Sequence, residues 1–372
     1  MSKKEKIRLP YRSAVEVEQR FNILRTMLAA GVAIGFCFLL IFLSSKNPAQ
    51  DIITFLTAPL SSFNRFCTLL IKLSPLLFTS CATCILFSAD TPNCSVETSF
   101  FMGAICATLV GVLPGIPPVI HFILMALAGM VGATIVLLIP SLLNYTFNAN
   151  ILVVSLMLNY VLNLLGNYLV TGPMKDPSAG WEASAKIATS AKLPKFINMG
   201  AAQVHLGVII GLVVVVIAWF LLYKSKFGYE SRTVGANQPF AKFSGINIGK
   251  VVVMGSVIAG AMSGLGAACE ISGYYDRLQW NTSPGYGWDA IMIATLAGNN
   301  PKFVVPAALF LAYIRTSADM LNITSVVPTE VVEISQQVVI VMIAARGLLR
   351  AMEKKSVIKN ARKQMAYTKE EA

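Results

Sequence analysis

The chain has 372 residues, of which 55% are hydrophobic and only 13% charged, against about 25% charged in an average soluble domain. The roughly 205 apolar residues supply eight to ten spans of about 20 residues, and with a mean hydropathy of +0.66 they exclude a large soluble domain. A net charge of +12 would point to nucleic acid in a soluble protein, but here the basic residues stand outside the apolar runs, so no nucleic-acid partner is expected and the bilayer is the first partner.

Residues 1–26 form a basic tail with Lys3, Lys4, Lys6, Arg8, Arg12, Arg20 and Arg25. The positive-inside rule makes it cytoplasmic. The first apolar run begins too far from Met1 for a cleavable signal and lacks a convincing small-residue cleavage site, so it reads as a retained span. Ten runs follow as expected spans: 27–45, 66–88, 98–113, 118–140, 150–170, 203–223, 251–271, 286–298, 303–323 and 331–348. A second basic tail, 349–372, is likewise expected to be cytoplasmic, and two termini on one side require an even number of spans. The expected organisation is therefore a transmembrane domain, 27–348, between two cytoplasmic tails. The fold class is an all-α polytopic membrane protein.

Two runs are short. The one at 98–113 ends at Leu113-Pro114-Gly115, and the one at 286–298 is entered through Ser283-Pro284-Gly285. Interrupted spans face protein or a water-filled path rather than lipid. Glu97 opens the first and Asp289 stands near the start of the second, at comparable places in the two halves, which suggests an internal repeat. Gly207-x-x-x-Gly211 and Gly260-x-x-x-Gly264 predict close helix crossings. The seven cysteines form no disulfide framework, and Cys81-Ala-Thr-Cys84 stands in an apolar run, where free cysteines are buried hydrophobes. His121 and His205 are too isolated to predict a metal site.

Two connections are long enough to carry structure. The segment 171–202 follows the fifth span and is expected outside. The segment 224–250 follows the sixth and is expected inside, in keeping with Lys224, Lys226, Arg232, Lys242 and Lys250 against Glu230 alone. Within it, Gly235 reads as a helix stop, Asn237 as a cap, Pro239 as a first-turn proline of a short helix and Gly245 as its stop.

The pattern Phe227-Gly228, Arg232, Gly235, Asn237, Ala241 and Gly245-Ile246 resembles the cytoplasmic coupling loop of permeases from bacterial ABC importers for simple sugars, purine nucleosides and branched-chain amino acids. Three further blocks are similar to the nucleoside-type permeases: Asn159-Tyr160 with 168–177 and 191–194, then Ser263 to Gly273, then Gly285 to Gly298. Together these blocks cover most of 65–345 in order. One block departs. Where the family has Asn-Ile-Gly-Ala-Glu-Gly-Gln, this chain keeps Asn93 and Glu97 but replaces both glycines and the glutamine, which bears on substrate rather than on fold.

The resemblance implies an ABC importer permease fold of about ten helices in a bacterial cytoplasmic (inner) membrane. It implies a non-catalytic subunit that binds no cofactor of its own. ATP and Mg would be held by a separate ABC ATPase docked on Arg232, Gly235, Asn237, Pro239, Phe240, Ala241 and Gly245. A second, different permease subunit and an extracytoplasmic substrate-binding protein or lipoprotein are the other implied partners. No Gly-x-x-x-x-Gly-Lys-Ser/Thr motif exists in the chain. For the substrate path, polar and aromatic residues in spans within the family blocks single out Asn93, Glu97, Asn159, Tyr160, Asn163, Glu270, Tyr274, Trp288 and Asp289. Asn159, Asn163 and Asn167 share one helical face, which serves helix bridging equally well. A purine nucleoside leads as solute, with riboflavin, a simple sugar or a related solute behind it. An ion-coupled secondary transporter is the alternative from another class.

Overall fold

A computed structural model describes residues 47–199 and 202–324, with isolated positions before them. Residues 53–323 form one compact unit. In chain order the elements are α1 (Pro48–Thr57), α2 (Phe63–Ser88), α3 (Val96–Gly111), α4 (Pro118–Phe147), α5 (Ile151–Thr171), β1 (Lys195–Met199), β2 (Ala202–His205), α6 (Gly207–Lys224), α7 (Lys226–Ala236), α8 (Gln238–Phe243), α9 (Ile248–Gly273), α10 (Tyr286–Leu296) and α11 (Val304–Thr324).

Six helices among the described residues are long and apolar enough to cross a membrane: Phe63–Ser88, Pro118–Phe147, Ile151–Thr171, Gly207–Lys224, Ile248–Gly273 and Pro301–Leu321. Eight of the ten expected runs fall on helices. The expected spans 27–45 and 331–348 lie outside the continuously described residues, so the count of ten is not established. The expected short runs become α3, with 16 residues, and α10, with 11. At 1.5 Å per residue neither reaches across a hydrocarbon core of about 30 Å.

Burial places these helices. The most apolar stretch of α2 is 89% buried, whereas that of α5 is 28% buried. The first is a central helix and the second a peripheral one with an apolar outer face. Between α3, α4 and α9 the backbones nearly touch, because glycines meet there. A Cβ on Gly129 would stand 2.8 Å from the Gly264 carbonyl oxygen, and one on Gly103 would stand 3.1 Å from that of Gly129. In lipid, where apolar surface gains nothing by leaving the solvent, such close contact is what holds helices together. The Gly260-x-x-x-Gly264 spacing thus seats α9 on α4, and Ser99 and Ser263 hydroxyls 2.9 Å apart tie α9 to α3.

The structure is not wholly helical. Residues expected to open the sixth span instead form β2, paired antiparallel with β1, Lys195 opposite His205. The helix begins only at Gly207, whose N–H donates to His205 Nδ1 at 3.1 Å. The 171–206 segment is ordered by backbone bonds to helix ends. Leu193 N donates to Ser272 O at 2.9 Å, Ile187 N to Asp276 O at 3.0 Å and Ala188 N to Gly111 O at 2.8 Å. It closes one end of α3 and α9, while α7 and α8 stand at the other end of α6.

Candidate functional site

The N-termini of the two short helices meet, and Glu97 joins them. Standing in the first turn of α3, its carboxylate accepts from the backbone N–H groups that open α10: Gly285 N to Oε1 at 2.7 Å, Gly287 N to Oε2 at 2.6 Å and Trp288 N to Oε2 at 3.3 Å. An anion supplied by one helix therefore caps another, where orphan donors and the helix dipole both favour negative charge. Glu97 is 2% exposed. Gly287 passes so close to the Glu97 backbone that a side chain there has no room, and Gly285 adopts φ +87° to start the helix.

The connections leading into the two short helices are held by α5. Asn159 Nδ2 donates to Cys94 O at 3.1 Å, and Thr98 Oγ1 donates to Asn159 Oδ1 at 2.6 Å. One turn along, Asn163 Oδ1 accepts from Ser283 N at 2.9 Å. Asn93 bonds Ser95 N through Oδ1 and Leu137 O through Nδ2. The asparagine face of α5 thus stitches both polar entrances. Asn167, one turn further, makes no such side-chain bond among the described residues.

Asp289 lies in the first turn of α10, buried, with Oδ2 2.6 Å from Arg315 of α11. On α11, Asp319 pairs with Lys72 of α2, and Lys72 also donates to the Arg315 carbonyl at 3.4 Å. The structure therefore gathers Asn93, Glu97, Asn159, Asn163 and Asp289 around one pair of helix starts. Trp288 joins them through its backbone N–H on Glu97, and the remaining three stand elsewhere. Tyr160 is exposed on the outer side of α5 and does not join them, and Trp288 is partly exposed. Glu270 is buried in the last turns of α9, and Tyr274 follows that helix at the end covered by the 171–206 segment. Among the described residues no three His, Cys, Asp or Glu side chains are placed to hold a metal. His121 is bonded through both ring nitrogens, to Ser190 Oγ and Val110 O.

At the opposite end of the bundle, Asn237 Oδ1 caps α8 by accepting from Phe240 N at 3.0 Å. Ala241 is buried against Ala89, Val234 and Val251, while Phe240 and Phe243 are exposed, Phe243 at 93%. Gly245 takes φ +79° after the helix, as its expected role as a stop requires. Gly235 is a correction. It is not a left-handed stop: α7 runs past it to Ala236, and glycine is needed there because the Ser88 carbonyl, at the end of α2, leaves no room for a side chain. The Ser88 and Ser231 hydroxyls are 2.7 Å apart at the same contact. Arg232 turns back, with its guanidinium 4.7 Å over the Tyr223 ring.

A family model described as branched-chain amino acid transport system / permease component matches residues 65–345. The chain belongs to this permease family. A glucose ABC transporter permease protein, TsgB13 of Haloferax volcanii, is 30% identical over 282 residues, 74% of each chain. A guanosine ABC transporter permease protein, NupP of Bacillus subtilis, is 30% identical over 283 residues, 75% of this chain and 80% of that one. A nucleoside ABC transporter permease protein, NupB of Lactococcus lactis, is 24% identical over 346 residues, covering 89% and 94%. The permease is thus a multi-pass transport component of the nucleoside and simple-sugar type.

Sequence reasoning missed Arg315 in this permease, although a signal was present. Arg315, Asp319 and Lys72 are single charges inside apolar runs, and a charge at such depth requires a counter-charge. Each finds one. The bonds of Cys94 and Ser283 carried no comparable signal, since they are made by main-chain groups that every residue carries, nor did Thr98, since short polar residues in helices commonly bond their own helix.

Proposed function

We propose that this permease is the membrane-spanning, non-catalytic subunit of an ATP-driven ABC importer, and that it passes a purine nucleoside to the cytoplasm. The observation that carries the reading is the α7–α8 hairpin. Gly235 of α7 and Ala241 of the capped six-residue helix α8 lock the hairpin onto the end of the central helix α2, with Phe240 and Phe243 left projecting. Exposed aromatic side chains on a rigid base suit the groove of a separate ATPase, which binds the ATP and Mg. A displacement there is passed to α2, through residues 89–95 to Glu97, and so to α10. The solute path runs beside the two short helices. Asn93, Glu97, Asn159, Asn163 and Asp289 hold its shape, and Trp288 and Tyr274 offer ring faces to a planar solute.

A second permease subunit of different sequence completes the path, and an extracytoplasmic binding protein delivers the solute. The 27–348 domain sits in a bacterial cytoplasmic membrane with both basic tails, 1–26 and 349–372, in the cytoplasm. The guanosine and nucleoside permeases among the relatives favour a nucleoside, as does the similarity of 168–194 to such permeases. A simple sugar is the second reading, favoured by the glucose permease at the same identity. Uptake of labelled guanosine, adenosine and glucose by cells with and without the gene decides between them. Gene-dependent accumulation of a nucleoside is expected, and gene-dependent uptake of glucose alone would replace this reading by the second.

A further inference from the structure

The 171–206 segment and the chain leaving α9 line an open cavity of about 650 Å³, the size of a small-molecule site. Trp181, Tyr274 and Tyr275 supply ring faces, and Lys186, Lys195 and Arg277 supply cations. The one acid of the lining, Asp276, is already engaged. Its carboxylate lies 2.7 Å from Lys192, and that hydrogen bond holds its pKa below the usual value. Arg277 sits 3.6 Å from Asp176 and 5.8 Å over the Trp181 ring. Lys186 and Lys195 meet no carboxylate within salt-bridge distance among the described residues; Lys195 donates to the neutral Gln203 amide. The wall therefore carries two lysine ammoniums that no carboxylate neutralises, beside the neutral amides of Gln203 and Gln279.

The floor of the cavity is Gly273, and polar atoms are left unpartnered beneath it. His205 lies against Gly273, where a Cβ would stand 2.9 Å from the histidine Cβ. Its Nε2 has no hydrogen-bond partner among the described residues, nor has Oε2 of Glu270. Both side chains are at least 98% buried. Glu270 stands one helical turn below, its carbonyl accepting from Tyr274 N at 3.0 Å. Buried polar atoms are nearly always paired, and these two stand behind Gly273 rather than among the residues that line the cavity.

We infer that this cavity is an outer solute subsite of the permease, taking a planar ring whose edge is rich in acceptors. Among purine nucleosides it selects guanosine and inosine over adenosine. The inference deepens the proposed function and rests on it. Aromatic faces stack on any planar base, so they supply affinity without choosing. The choice comes from the cations. The oxopurine edge offers two adjacent acceptors, O6 and N7, whereas adenine replaces O6 with an amino donor. Turned toward Lys186 or Lys195, that amino group would meet an ammonium, donor against donor, where O6 would accept.

The test uses the full transporter complex in lipid nanodiscs without its binding protein, and equilibrium dialysis of labelled guanosine and adenosine. Guanosine is expected to bind the unmodified complex about tenfold more tightly, the worth of one charge-assisted hydrogen bond. Lys186→Gln and Lys195→Gln should weaken guanosine and narrow the ratio. Trp181→Ala should weaken both nucleosides alike. Unmodified affinity and ratio in all three variants would overturn the subsite. So would variants that lose affinity for the binding protein yet bind nucleosides normally, since the cavity would then be a protein-docking surface. In either case nucleoside uptake by unmodified cells leaves the functional reading standing. If those cells take up no nucleoside, that reading falls and the subsite falls with it.

Discussion

A carboxylate at membrane depth costs at least ~2.5 kcal/mol in lipid, and Glu97 avoids that cost by taking three backbone donors from α10 rather than by facing water. Its spacing from Asn93 was legible in the sequence; its partners were not, because they lie about 190 residues away and are main-chain groups, which every residue carries. Glu97→Gln keeps one acceptor and turns an amide donor toward the α10 N–H groups. Loss of the charge-assisted bonds should cost about 2–4 kcal/mol, read as a lowered unfolding temperature of the assembled complex, while the nucleoside preference stays unchanged. A changed preference at unaltered stability would make Glu97 a solute contact instead. For Asp289 and Arg315, removing the arginine leaves an unpaired buried carboxylate and removing the aspartate an unpaired, partly buried cation, at up to about 3–5 kcal/mol. Asp289→Asn and Arg315→Met should each destabilise by that order, and the double variant by clearly less than their sum. Strict additivity would mean that the pair is not coupled.

At the scale of elements, the sequence called for a short capped helix in the 224–250 loop, and α8 is that helix, Asn237 cap and Gly245 stop included. Gly235 was misread for a definite reason. Glycine is favoured both where a helix ends in a left-handed turn and where another backbone comes too close for a side chain, and one chain of letters does not separate the two. The difference is testable. Gly235→Val would collide with the Ser88 carbonyl, so it should loosen the hairpin from α2 and abolish coupled uptake. Phe243→Ser touches nothing buried; it should leave the permease as stable as before and lower ATPase subunit recovery on co-purification. Normal recovery with Phe243→Ser would exclude this face of α8 as the docking site.

Across the whole molecule, α6 carries the chain from the 171–206 segment to the α7–α8 hairpin in one helix of 18 residues, about 27 Å at 1.5 Å per residue. The two connections therefore lie at opposite ends of it, and the proposed orientation puts the first outside and the second inside. A cysteine placed at Ser178 of a variant whose native cysteines are replaced should react with an impermeant maleimide in intact cells. One placed at Ser244 should react only after the membrane is opened. The reverse pattern would invert the proposed orientation.

The sequence by itself determined that the chain lives in a bilayer, where its spans fall within 65–323, and that two of them are interrupted. These properties are written in local composition, since about 20 apolar residues have no stable place but lipid or a core, and proline and glycine break a run wherever they stand. The family was legible from the coupling loop and the blocks around it. Tertiary structure alone decided what the polar residues do. Tyr160 and Asn159 are neighbours in the sequence, yet the first faces outward and the second holds α3, because a rotation of 100° per residue separates them on the helix. The strand at Ala202–His205 was likewise invisible. Its four residues, Ala-Gln-Val-His, run directly into the apolar stretch of α6, and only pairing with Lys195–Met199 makes them extended.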